Sequence, residues 1–246
     1  MKFIHYFNFR TLLALVISQA ATYIAITNDL SFHLDLLLFG ICIVFPLHFS
    51  MQSAFKRRDR ALEYFSLFKG GSMSLYYSFQ IAEDLPPEKK KEATRFLKSM
   101  VDQLMQQLEH RISGYNNLQQ KLNEIFSFIE TYRDEISKRN TLRMIRYLRD
   151  VTESSAYLLS LVNHRTMAGL RFYSIFFIII FPMVQAPIML SLLQEIMPVW
   201  LIYIFLGTTS FILVTLNNFQ TMIEYPFDKN GMDSIAIRDF SLDIPA

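Results

Sequence analysis

The stretch GICIVFPLHFSMQSAFKRRDR (residues 40–60) joins an apolar segment directly to four basic residues. Within it, Ile41, Phe45 and Phe49 follow one another at intervals of four. On an α-helix this interval places the three side chains on one face, about one turn per step. Pro46 removes one backbone hydrogen bond and can bend the helix at that point. The stretch therefore predicts a membrane-spanning helix that carries Ile41, Phe45 and Phe49 on one face and continues into a basic segment outside the lipid.

The composition of the whole chain supports a membrane protein. Of its 246 residues, 52% are hydrophobic and 15% aromatic, which is more apolar than an ordinary soluble domain. The formal net charge of +2 is uninformative. Cys42 is the single cysteine, so no internal disulfide is possible, and we interpret it as a small apolar side chain.

The basic residues divide the chain. Twenty of the 24 Lys and Arg residues lie between Lys56 and Arg171, and none lies in 11–55 or 172–228. Each of these two windows is about twice the ~20 residues that cross a bilayer, so each predicts a helical hairpin. We predict four spans, from Thr11 to Thr27, Leu36 to Phe55, Phe172 to Leu193 and Pro198 to Leu216.

This pattern predicts an all-α membrane protein with a large cytosolic helical insert between the second and third spans. The predicted segments are 1–55, with the first hairpin; 56–171, the insert; 172–216, the second hairpin; and 217–246, a cytosolic C-terminal segment. Because basic residues near span ends stay cytosolic, we expect both termini inside and both hairpin loops outside.

The insert carries apolar residues at helical spacing. After Asp84-Leu-Pro-Pro, which suits a helix start, three stripes follow the three-and-four interval of a buried helix face. The first contains Ala93, Leu97, Met100, Val101, Leu104, Leu108 and Ile112; the second Leu118, Leu122, Ile125, Ile129 and Ile136; the third Leu142, Ile145, Leu148, Leu158 and Leu161. Gly70-Gly71 and Gly114 predict helix breaks. The run from Glu88 to Glu92 is interpreted as a solvated first turn.

Enzyme and nucleic-acid functions find little support. The five histidines lack metal-site spacing such as HExxH, no GxSxG occurs, and Gly70-Gly71 lacks the rest of a phosphate-binding loop. The basic residues are dispersed among acids rather than gathered with aromatics, which argues against nucleic acid. We therefore predict no enzyme activity, no cofactor and no metal site, and a channel, a transporter or a membrane-anchored scaffold remains.

The stripe at 41, 45 and 49 has two interpretations. In a single chain it packs against other spans or faces lipid. If several copies surround an axis, the same residues form three stacked apolar rings, and a narrow apolar ring gates by dewetting. His48 and Gln52 extend the face, and Arg57 and Arg58 follow at its cytosolic end as ion-attracting residues or as interfacial anchors.

Here the sequence resembles the bestrophin family of pentameric channels. That family carries an Ile-x3-Phe-x3-Phe neck on its second span, followed by a basic cytoplasmic extension, and Ile41, Phe45, Phe49 and Lys56-Arg57-Arg58 match this order. After the fourth span, MIEYPFDKNGMDSIAIRDFSLDI (residues 222–244) resembles the family's Glu-Asn-Pro-Phe-Gly and the Asp-containing helix behind it. Its matching residues are Glu224, Pro226 and Phe227.

The resemblance implies a homopentamer in a lipid bilayer, of the bacterial inner-membrane type, that conducts chloride or other small ions passively through this neck. Anions are favoured because the edge of a phenylalanine ring is the positive end of its quadrupole. Two alternatives stay open: a cation-conducting bacterial-type homologue, and a non-conducting scaffold or signalling protein.

Two departures from the family set limits. Its Arg-Trp-Trp after the second span is Arg57-Arg58-Asp59 here, and its Pro-x-Pro before the third span is missing around Thr166 to Leu170. Animal members bind calcium through a dense acidic run after Pro-Phe-Gly. Residues 228–233 contain only two carboxylates and a lysine, whereas calcium favours six to eight oxygens, so no calcium clasp is expected.

Overall fold

The structure is a computed structural model that describes residues 8–110, 112, 114–163, 168–193, 195–224, 227 and 235–240. These residues form helices and connecting turns, with no strand among them. The helices are α1 Phe9–Thr27, α2 Leu36–Ile81, α3 Pro87–His110, α4 Asn116–Thr131, α5 Arg133–Ile136, α6 Lys138–Asn163, α7 Ala168–Leu193 and α8 Val199–Ile223, followed by a 3₁₀ turn at Ile237–Phe240. The prediction of an all-α chain is confirmed.

The chain divides into two compact units. The first contains Met1–Lys56 and Thr166–Glu224, and the second contains Arg57–Arg165 and Tyr225–Ala246. The first unit therefore holds α1, the beginning of α2, α7 and α8, while the second holds the rest of α2 and α3 to α6.

Three described helices are long and apolar enough to cross a membrane: Phe9–Thr27, Phe172–Leu193 within α7, and Val199–Ile223. In the first unit α1 packs against α7 and α8, and α7 packs against α8. The chain is thus an integral membrane protein. The predicted span Leu36 to Phe55 is not among these three, and it forms the first part of the longer helix α2.

Polar side chains join α1 to α8 inside the first unit. Ser18 Oγ donates to the carbonyl of Leu206 at 3.1 Å, and Asn218 Nδ2 donates to Thr11 Oγ1 at 3.0 Å. Where lipid surrounds a helix pair, such bonds hold the helices in one register.

A close approach of α1 and α8 accompanies these bonds. Gln19 Nε2 donates to the carbonyl of Tyr203 at 3.3 Å. A Cβ at Gly207 would lie 2.8 Å from that same nitrogen, so a larger residue there would displace the amide of Gln19 from this position.

The core of the second unit confirms most of the predicted stripes. Every member of the α3 stripe is buried except Ile112, and every member of the second stripe is buried, with Ile136 on α5. In α6, however, Leu142 and Ile145 are exposed. Leu148 and Leu158 of the predicted stripe are buried, and the same face of α6 also carries Thr141, Met144, Val151, Ser154, Ser155 and Leu159.

The predicted break at Gly70-Gly71 is wrong, because α2 continues through both glycines to Ile81. Gly71 is buried beside α6, and an added Cβ would lie 2.8 Å from Val151 Cγ2. The other predicted break is confirmed: Gly114 separates α3 from α4 with φ +151°, a backbone conformation that favours glycine.

Candidate functional site

The first part of α2 has one exposed face and one buried face. Ile41, Phe45 and Phe49 are 46%, 55% and 54% exposed. On the other side Ile43, Leu47, Ser50 and Ala54 are buried within the chain. The stripe singled out in the sequence therefore points away from the rest of its own chain.

The exposed face is continuous along the helix. The rings of Phe45 and Phe49 lie 6.0 Å apart between centroids, and the ring of His48 lies 6.1 Å from that of Phe49. His48 and Gln52, which extend the stripe in the sequence, are also exposed. Pro46 lies inside α2, and the helix continues on both sides of it.

Contacts with α7 and α8 hold the first part of α2 in place. Tyr173 Oη of α7 donates to the carbonyl of Cys42 at 3.2 Å. Gln220 Nε2 of α8 donates to Ser50 Oγ, and the rings of Phe55 and Phe219 lie 6.3 Å apart. These contacts determine which face of α2 remains exposed.

Sequence reasoning missed Ser50 and Gln220. The sequence does contain a feature that could have indicated them, since each is a polar side chain in an apolar segment. Both are nonetheless nine-tenths or more buried, and their pairing spans 170 residues of chain.

Arg57 and Arg58 begin the second unit, and both are half-buried. Arg57 Nη2 donates to the carbonyl of Leu161, in the last turn of α6. A cation is favourable there because the C-terminal end of a helix carries partial negative charge. Arg60 Nη1 donates to Tyr157 Oη at 3.3 Å, and this hydrogen bond raises the pKa of Arg60.

The motif after α8 is described in part. Glu224 caps the end of α8 and is 2% exposed. Phe227 is buried in the second unit, where its ring meets that of Phe65 edge-on at 5.6 Å. Pro226 and residues 228–234 lie outside the described residues, so the expectation of no calcium clasp stays a prediction. Among the described residues, no group of three or more His, Cys, Asp or Glu could hold a metal ion.

Solved structures resemble this chain closely in fold, although no family model and no curated protein matches its sequence. A bacterial bestrophin homologue from Klebsiella pneumoniae, solved by Zn-SAD phasing, aligns with a TM-score of 0.74 at 14% identity, over 95% of this chain and 93% of that one. A variant of that homologue, with leucine replaced by threonine, aligns with a TM-score of 0.74 at 15% identity, over 95% and 94%.

A further crystal structure, of a membrane protein with a proline-to-alanine substitution, aligns with a TM-score of 0.75 at 14% identity, over 95% of this chain and 93% of that one. These likenesses extend over nearly the whole chain and confirm the resemblance that the two motifs indicated. The chain has the fold of the bacterial bestrophin homologues.

Proposed function

We propose that this chain is one subunit of a homopentameric ion channel of the bestrophin type, with the first part of α2 lining the pore. The observation that carries the proposal is the exposure of Ile41, Phe45 and Phe49 on a helix whose opposite face is buried in its own chain. Around a five-fold axis these side chains form three apolar rings. Conduction is passive.

The apolar rings supply both the gate and the preference for anions. Water and ions lose hydration in a narrow apolar ring, so the ring closes by dewetting. Ring edges of Phe45 and Phe49 present positive partial charge to a dehydrated anion, which favours chloride. The alternative, cation conduction, is tested by measuring the reversal potential in a chloride gradient.

A second candidate function is a non-conducting membrane-anchored scaffold. It is favoured by the second unit, which has a hydrophobic core of its own formed by α2, α3, α4 and α6. Multi-angle light scattering of the purified protein separates the two candidates, because a monomer or dimer cannot build a five-fold neck.

Replacing Ile41, Phe45 and Phe49 together by Ala tests the neck. The substitutions widen all three rings and remove the surface that drives dewetting, so chloride efflux from liposomes should rise strongly. If the side chains instead pack against other spans, each Phe truncation leaves a cavity that costs about 3 kcal/mol or more. The oligomer would then assemble poorly rather than leak.

A matched control lies on α7. Phe172, Phe176 and Ile179 are also two phenylalanines and one isoleucine with exposed side chains, and the rings of Phe172 and Phe176 are 6.2 Å apart. Their triple Ala variant should leave efflux unchanged. An intact pentamer of the neck variant with wild-type efflux would contradict the proposal.

A further inference from the structure

A basic groove lies in the second unit, between the end of α2 and the first turns of α3. Its cavity volume is about 560 Å³, within the range of about 300–1,000 Å³ that small-molecule sites occupy. The residues that line this basic groove are Tyr76, Gln80, Pro87, Lys90, Lys91, Thr94, Arg95 and Lys98.

The lining carries four cations and no carboxylate. Lys90 Nζ donates to the carbonyl of Gln80 at 3.0 Å, which holds the start of α3 beside the last turn of α2. Lys91, Arg95 and Lys98 make no salt bridge with any described residue. The nearby acid Glu92 is paired with Lys89 at 2.8 Å, so its charge is already compensated.

The spacing of these three cations makes them converge. Positions 91, 95 and 98 follow the i, i+4, i+7 pattern of one helix face. Arginine presents a planar fork that binds phosphate oxygens in pairs, and lysine adds a mobile point charge. Arg95 and Lys98 also line the next hollow along α3, where Asp102 and Glu109 share the lining with them. Of these two hollows, the basic groove is the one lined by cations without a carboxylate.

We propose that the basic groove binds a small anion that carries two or more phosphate groups. One phosphate would not fill this volume or compensate three cations, whereas linked phosphates can bridge Lys91, Arg95 and Lys98. The ring of Tyr76 and the side chain of Pro87 form an apolar wall for an organic portion. Such a ligand comes from solution or from a lipid headgroup. This proposal does not depend on ion conduction.

The test is calorimetric titration of the full-length protein in detergent with inorganic triphosphate, at about 0.1 M salt, where charges beyond about 10 Å are screened. The triple variant Lys91→Gln, Arg95→Gln, Lys98→Gln should raise the Kd by roughly tenfold or more, because it removes the charge-assisted bonds.

The control variant is Lys138→Gln, Arg139→Gln, Arg143→Gln. These three basic residues are exposed on the first turns of α6, so the control removes the same net charge at the same end of a helix. It should keep the wild-type Kd. Equal weakening in both variants, or no binding of triphosphate by the wild-type protein, overturns the proposal.

Nanodiscs distinguish the two sources of the ligand. If the natural ligand is a headgroup, nanodiscs that contain cardiolipin, whose headgroup carries two linked phosphates, should weaken triphosphate binding relative to nanodiscs that contain phosphatidylglycerol at the same total lipid charge. A soluble ligand predicts the same Kd in both. Either result supports the phosphate site, provided that the groove variant still loses affinity.

Discussion

Gly70 and Gly71 are neighbours in the middle of α2, but an added methyl group would meet different surroundings at the two positions. A Cβ at Gly70 has no neighbouring atom within 4 Å, whereas one at Gly71 meets Val151 Cγ2 at 2.8 Å. A substitution at Gly70 therefore tests the effect of helix propensity alone. The same substitution at Gly71 also tests the packing of α2 against α6.

Gly70→Ala should stabilise the protein by about 0.5–1 kcal/mol, since alanine restricts the unfolded chain and favours the helix. Gly71→Ala should destabilise it by about 1–3 kcal/mol through overpacking against Val151. Melting temperatures in detergent measure both effects. Shifts of the same sign would contradict the packing described for Gly71.

Arg57 is expected to stabilise the second unit rather than to attract ions. Arg57→Gln removes a charge-assisted bond to the end of α6 and should cost about 1–3 kcal/mol. Chloride efflux per assembled pentamer should change little. The measurement pairs the melting temperature with liposome efflux, and a large loss of efflux without loss of stability would assign Arg57 to the ion path.

At the scale of helices, apolar spacing predicts α3 and α4 well, but on α6 it wrongly assigns the exposed Leu142 and Ile145 to the buried face. The difference lies in Thr141, Ser154 and Ser155, which are buried. Ser154 Oγ donates to the carbonyl of Asp150 at 2.7 Å, and Ser155 Oγ to that of Thr152 at 2.9 Å. A small hydroxyl that bonds to its own helix can enter a core, so a search for apolar residues alone passes over it.

The candidate pore stripe could be identified from spacing and resemblance, but the contacts that orient it could not. Ser50 and Gln220 come together only when α2 and α8 pack, and no local pattern pairs residues so distant in sequence. The length of α2 could not be predicted either, because two adjacent glycines are typical of a helix end. Long-range packing decided both points.

Ser50 and Ser53 provide a matched pair on α2. Ser50 is 2% exposed and accepts the bond from Gln220, whereas Ser53 is exposed. Ser50→Ala should cost about 1 kcal/mol, as expected for an interhelical bond in a membrane, and Ser53→Ala should stay within about 0.5 kcal/mol. Thermal melts of the two variants test this prediction. Equal losses of stability in both variants would show that the bond of Ser50 to Gln220 does not help to orient α2.

For the whole molecule, the distribution of basic residues predicts the topology. In a Cys42→Ser background, Asn28→Cys and Glu195→Cys should react with a membrane-impermeant maleimide added outside cells. Glu88→Cys, beside the lysines of α3, should react only after the cells are opened, because basic segments stay cytosolic. Labelling of position 88 from outside would reverse the predicted orientation.

The bonds between α1 and α8 impose an order on biosynthesis. Ser18 and Gln19 find their acceptors 188 and 184 residues later in the chain. At about 5–20 residues per second, a ribosome needs roughly 10–40 s to make that length. Of the three candidate spans, α1 is the least apolar, with a mean hydropathy of 1.5 against 2.3 and 2.1. During translation, α1 must therefore wait for its last partner helix before Ser18 and Gln19 can reach these acceptors.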